Sequence, residues 1–138
     1  MAAMTNVMVR LQFPGFHCWP SAPASLAFLR HLHRHLFFVM VSLEVGHSER
    51  EVEILQLKDW LECECIPSLG PSHNSLLGLN LGAQSCETLA HRIAGTVLHR
   101  YGDDRVVTVS VLEDNENGAQ VVCPLEAEEG AEAEGPLE

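Results

Sequence analysis

Residues 32–45, LHRHLFFVMVSLEV, restrict the fold more than any other stretch of this chain. The second half is dominated by β-branched and aromatic residues, and neither glycine nor proline interrupts it before Gly46. Such a run favours extended backbone. Side chains along a strand alternate between faces, so His31, His33 and His35 share one face while the arginine and leucine between them take the other. The run that follows is apolar on both sides, and each side therefore needs cover.

The remaining segments supply partners for such a strand. Residues 6–13, NVMVRLQF, alternate loosely and read as a first strand, while PGFHCWPSAPAS, rich in proline and serine, reads as loop. Val52, Leu55, Leu57, Trp60 and Leu61 stand near helical spacing and predict a helix over about 53–65. Glycine and proline mark a loop through PSLGPSHNSLLGLNLGA, which carries His73. The clearest helix is SCETLAHRIAGTVLHRYG, with Ser85 as cap, Leu89, Ile93, Val97 and Leu98 as apolar stripe and Gly102 as stop. RVVTVSVLED and AQVVCPL then form a hairpin about the turn NENG. The order β-β-α-α-β-β implies an α+β fold: a four-stranded antiparallel sheet with two helices on one face.

Charge divides the chain in two. Residues 126–138 hold six of the nineteen acidic residues and no base, which leaves a net charge of −5 on the other 125 residues. That segment lacks aromatic and β-branched residues and reads as a disordered acidic tail beside one domain over 1–125. The body carries no basic patch of the kind that binds nucleic acid. No apolar run approaches membrane-spanning length, and no leader pattern is visible. Five cysteines, Cys18, Cys63, Cys65, Cys86 and Cys123, are an odd number, which favours a reduced, cytoplasmic protein. The Cys63/Cys65 pair has no second pair to complete a metal site and reads as structural.

The histidines carry the chemistry. Two imidazoles two residues apart on one strand face can grip one metal ion when a third ligand arrives from elsewhere, and His17 is the candidate. Zinc favours imidazole nitrogen, and three protein ligands leave a fourth position for water or substrate.

With these residues in view, FPGFHCWP followed by LHRHLFFVMV resembles the 6-pyruvoyl-tetrahydropterin synthase and 6-carboxytetrahydropterin synthase (QueD-like) superfamily. Its members carry Phe-x-x-x-His and later Leu-His-Gly-His before a strand. The resemblance implies that His17, His33 and His35 bind Zn2+, with Phe13 as the leading aromatic and Arg34 in place of the glycine. EVEILQLK resembles the family's Asp-Phe-x-x-Leu-Lys, with Glu53 and Lys58 at the aspartate and lysine. His73 falls at the histidine of Asp-His-x-x-Leu-Asn, Ser85 and Glu87 at the threonine and glutamate of Pro-Thr-x-Glu-Asn-Leu-Ala. Glu113 takes the place of the glutamate that anchors the pterin; with Glu87 and Ser85 it forms the expected substrate-binding set. The resemblance further implies the T-fold, assembly into a homo-oligomer, most often a hexamer, and pockets between subunits.

Two departures bear on catalysis. The family cysteine four residues before the first histidine of the second motif is Leu29 here, and the aspartate beside the catalytic histidine is Ser72. A leucine moves no proton, so His73 and His31 are the expected catalytic groups, with Cys18 a weaker candidate. The expected function is that of a zinc-dependent lyase or related enzyme acting on a pterin or another nucleotide-derived heterocycle. The alternatives are a member that binds or sequesters such a ligand without turnover, and a protein whose metal is structural.

Overall fold

β2 (His33–Val45) pairs on both of its sides in the computed structural model, which describes residues 3–124. On one side it runs antiparallel to β1 (Thr5–His17) from Thr5↔Val45 to His17↔His33. On the other it meets β5 (Val107–Glu113), from Phe37↔Glu113 to Leu43↔Val107. The alternation works as the sequence implies. Phe37, Val39, Val41 and Leu43 are buried on one face, while Leu36, Phe38 and Met40 of the other stay half-buried.

The buried face is covered by α1 (Ile54–Trp60), which continues through a wider turn at Leu61–Cys65, and by α2 (Cys86–Tyr101). Leu57 and Leu61 from the first, and Leu89, Ile93 and Val97 from the second, join Val9, Leu11, Val109 and Val111 in one core. Each such side chain contributes about 1.5–3 kcal/mol on burial. Both helices start on side-chain caps: Glu53 accepts from the Gln56 N–H and Ser85 from the Thr88 N–H. α2 stops at Gly102, whose φ of 110° suits glycine alone.

The expected four-stranded antiparallel sheet in β-β-α-α-β-β order, and the T-fold with it, is not what the chain forms. The sheet has six strands, ordered β3-β4-β1-β2-β5-β6, with β3 at His73–Asn74, β4 at Gly78–Gly82 and β6 at Asn117–Cys123. It is mixed, because β4 runs parallel to β1 at Gly15 and Phe16. Besides the two α-helices there are 3-10 stretches at Ala24–Arg30, between β1 and β2, and at Pro67–Leu69.

Each difference has a local reason. β1 runs through Pro14 to His17, where loop was expected, because β2 offers a partner along its whole length. A proline is admitted there because β4 joins β1 only from Gly15 onward, leaving an edge up to that point. β4 is five residues long and its parallel partner is far away in sequence, so no local pattern announces it. Its approach depends on Gly78, which has φ +94° and would drive any Cβ into the Pro14 carbonyl.

The β5–β6 turn is centred two residues earlier than NENG suggests. Asp114 and Asn115 adopt φ of 54° and 61°, and the Glu116 N–H closes onto the Glu113 carbonyl at 2.9 Å. The acidic segment 126–138 lies outside the described residues, and no helix among those described is long and apolar enough to cross a membrane.

Candidate metal centre

The β1–β2 register sets His17 directly opposite His33, and Gly15 opposite His35. All three imidazoles therefore extend the buried face of β2 beyond Phe37, whose ring meets His17 and His35 edge-on at 5.3 and 5.7 Å. Ring centroids within the trio lie 4.7, 5.1 and 5.5 Å apart. One nitrogen from each comes within 4.8 Å of the others, so the group can hold a metal ion.

Each Nδ1 is already engaged, and this fixes the ring's role. His17 Nδ1 donates to the Gln84 carbonyl at 2.8 Å, His33 Nδ1 to the His31 carbonyl at 2.9 Å, and His35 Nδ1 to Asp114 Oδ2 at 2.7 Å. Carbonyl and carboxylate oxygens only accept, so each Nδ1 carries a hydrogen, and in the neutral ring the lone pair is then on Nε2. Such outer partners orient ligand imidazoles and raise their basicity. Burial holds the His17 pKa below its usual value, partly offset by the Gln84 carbonyl and the Glu113 charge. Asp114 is held below the usual carboxylate range by His35 and then by the Leu36 N–H, which its other oxygen accepts at 3.1 Å.

Glu113, the last residue of β5, brings a carboxylate to this group. Its Oε2 lies 3.1 Å from His17 Nε2, and its Oε1 lies 3.4 Å from His35 Nε2. The Cys86 thiol reaches Oε2 at 3.7 Å. Burial, then the Glu113 charge, pushes that thiol up to about 12, so it acts as a donor and not as a thiolate. Beside the histidines opens a pocket of about 470 Å³, bounded by His17, His33, Glu113, Cys86, Trp19 and Leu29, with Ser85 and Glu87 also on its wall.

The expected residues thus divide into two groups. His17, His33, His35, Glu113, Glu87 and Ser85 come to one place. Ser85 is also committed to its helix, accepting from Thr88 N–H at 3.1 Å. His31 and His73 do not join them within one chain. His31 is exposed and precedes β2, contributing its carbonyl to His33, and His73 is exposed on β3. Ser72 lies by Asn80, whose N–H its carbonyl accepts at 2.9 Å.

Three contributors escaped the sequence. Asp114 reaches His35 only through the Phe37↔Glu113 register, which no local pattern encodes. Gln84 offers a backbone carbonyl, a group every residue has, while its side chain is tied to the Leu69 carbonyl at 2.6 Å. Trp19 enters the wall because its N–H bonds the Leu29 carbonyl at 2.7 Å, closing the loop between β1 and β2.

Comparisons with known proteins bear on the fold alone. No family model and no curated protein matches this sequence. Among solved structures, an uncharacterized protein from Wolinella succinogenes superposes with a TM-score of 0.59 over 89% of this chain and 100% of its own, at 16% identity. The two share a fold.

Proposed function

We propose that this chain is a zinc-dependent enzyme acting on a pterin or another nucleotide-derived heterocycle, a divergent relative of the 6-pyruvoyl- and 6-carboxytetrahydropterin synthases. One observation carries the reading: three imidazoles with every Nδ1 engaged bring one nitrogen each within 4.8 Å of the others, beside a pocket about 470 Å³ in volume. An all-imidazole set suits zinc, which His17, His33 and His35 would hold and which supplies Lewis acidity toward a substrate oxygen. Glu113 suits the edge of a flat heterocycle, its two oxygens matching an N–H and a neighbouring NH₂. Trp19 and Leu29 give that ring an apolar wall.

Proton transfer is where a single chain falls short. His73 lies away from the pocket, so it reaches a substrate there only if a second copy presents it. The chain then works as a homo-oligomer, a hexamer by resemblance. β6 and the first part of β1 offer open edges, and Phe38, Met40 and Leu112 an uncovered face, for the contact. The second reading, binding without turnover, is favoured by Leu29 at the pocket wall and by the Cys86 thiol being held protonated.

The test is calorimetry of metal-loaded protein with pterins, guanine and deazaguanine compounds. Glu113→Ala is expected to cost about 2–4 kcal/mol, tens- to hundreds-fold in affinity. Equal affinities for every compound would refute the site. Mass spectrometry after incubation with dihydroneopterin triphosphate separates the readings, since product supports the enzyme and tight binding without product the sequestering protein.

A further inference from the structure

Glu113 makes an unusual contact with the histidines. Each imidazole hydrogen is spent at Nδ1, on the Gln84 carbonyl, the His31 carbonyl and the Asp114 carboxylate. The Nε2 atoms are then acceptors, and an ionised carboxylate is acceptor only. Yet Glu113 sets one oxygen 3.1 Å from His17 Nε2 and the other 3.4 Å from His35 Nε2. With neutral rings, lone pairs face lone pairs at both contacts, an arrangement relieved either by a proton on Nε2 or by a metal ion between the groups.

The spacing fits a shared metal. Ligand atoms held about 2.0–2.1 Å from a tetrahedral zinc stand about 3.3 Å from one another. The two contacts bracket that value. Nor is the carboxylate placed by chance. The Phe37↔Glu113 pair fixes its backbone, Asp114 beside it is bonded to both His35 and Leu36, and the Cys86 thiol points at Oε2.

We propose that Glu113 is the fourth protein ligand of the metal centre while the pocket is empty. This rests on the reading of His17, His33 and His35 as the metal-holding group. It deepens that reading, because the same carboxylate serves two partners. It closes the centre at rest, and a heterocycle that offers paired N–H donors draws it away and so opens the metal's fourth position. The pocket then exposes a reactive metal only to ligands that can engage Glu113.

The experiment is a cobalt(II) titration of metal-free protein, wild type against Glu113→Gln and His33→Ala, read by visible absorption and by competition with a chelating dye. Glu113→Gln keeps the side-chain shape and removes the charge. The expected result is an intense four-coordinate cobalt spectrum in the wild type that added thiocyanate does not alter. Glu113→Gln should bind cobalt at least about tenfold more weakly. Its bands should be shifted and should change again when thiocyanate enters the vacated position. Equal affinity and identical spectra, with thiocyanate altering both proteins alike, would overturn the proposal while leaving the histidine reading intact. Cobalt uptake that is absent in the wild type, or undiminished in His33→Ala, would overturn the histidine reading and this proposal with it.

Discussion

The β1–β2 ribbon is tied by charged side chains at both ends, and the two ties differ in kind. At the Thr5↔Val45 end, Arg105 Nη2 donates to Glu51 Oε2 at 2.8 Å and Nη1 to the Glu44 carbonyl at 3.2 Å. The Val106 N–H donates to the Glu44 carboxylate at 2.8 Å, and the Gly46 N–H to the remaining oxygen of Glu51. Donor meets acceptor in each of these bonds, while Arg105 Nε beside them is the one unpartnered atom among the described buried side chains. At the His17↔His33 end each imidazole Nδ1 bonds a carbonyl or the Asp114 carboxylate, and Glu113 faces Nε2 of both His17 and His35. The first end is satisfied within the chain except at Arg105 Nε. The second gathers imidazole nitrogens and a carboxylate around a place that could hold a metal ion, which is how it differs from the first.

The largest effect should come from removing two of the three imidazoles. His33→Ala/His35→Ala is expected to take zinc from one per chain to near none, measured by metal analysis of protein purified without a histidine tag. The Arg105 end lies at the far end of the ribbon, so the variant should still fold. Unaltered zinc content would mean that the two ends do not differ as described.

A smaller effect should follow from loosening one ring. Asp114→Ala removes the acceptor of His35 Nδ1 and of the Leu36 N–H, leaving the ring free to turn. Metal affinity is expected to fall about 10–100-fold. Competition with a chelating dye reads it, and an unchanged affinity would show that strand geometry alone orients His35.

What the sequence made legible follows the range of the forces involved. The β2 alternation, the α2 cap at Ser85 and the shared face of His33 and His35 are set within a few residues, and each was readable. His17 could be named as a partner, although its place opposite His33 is a matter of register. The β3–β4 addition was hidden, because a five-residue strand running parallel to a distant one leaves no local period. Asp114 was hidden because its place beside His35 is set by the β2–β5 register, and Gln84 because it contributes only a backbone carbonyl. His31 misled in the opposite way: alternation placed it on the ligand face, but β2 begins at His33 and only its carbonyl takes part.

Cutting the Arg105 end should affect stability without touching the metal. Arg105→Ala removes the cation that bonds Glu51 and the Glu44 carbonyl, at an expected cost of about 1–2 kcal/mol in urea unfolding. Zinc affinity should not move. A matching loss of zinc would show that the ribbon transmits strain from end to end.

The smallest effect is a change in pH dependence. Glu51 is held below the usual carboxylate range first by the Gly46 N–H and then by Arg105. A carboxyl whose folded value is depressed binds its proton less readily in the folded state, so acid favours the unfolded chain. Its contribution is therefore full above the ordinary value of about 4.5 and is lost as the pH falls through the lowered folded value. Glu51→Gln cannot titrate, and its urea midpoint should decline less steeply than the wild type's below that pH. Asp114 is depressed in the same sense at the histidine end, so some acid sensitivity should survive in Glu51→Gln and weaken further on adding Asp114→Asn. Parallel acid limbs in wild type and Glu51→Gln would mean that the Gly46 and Arg105 bonds persist in the unfolded chain, and that this end is not the self-contained clasp its geometry describes.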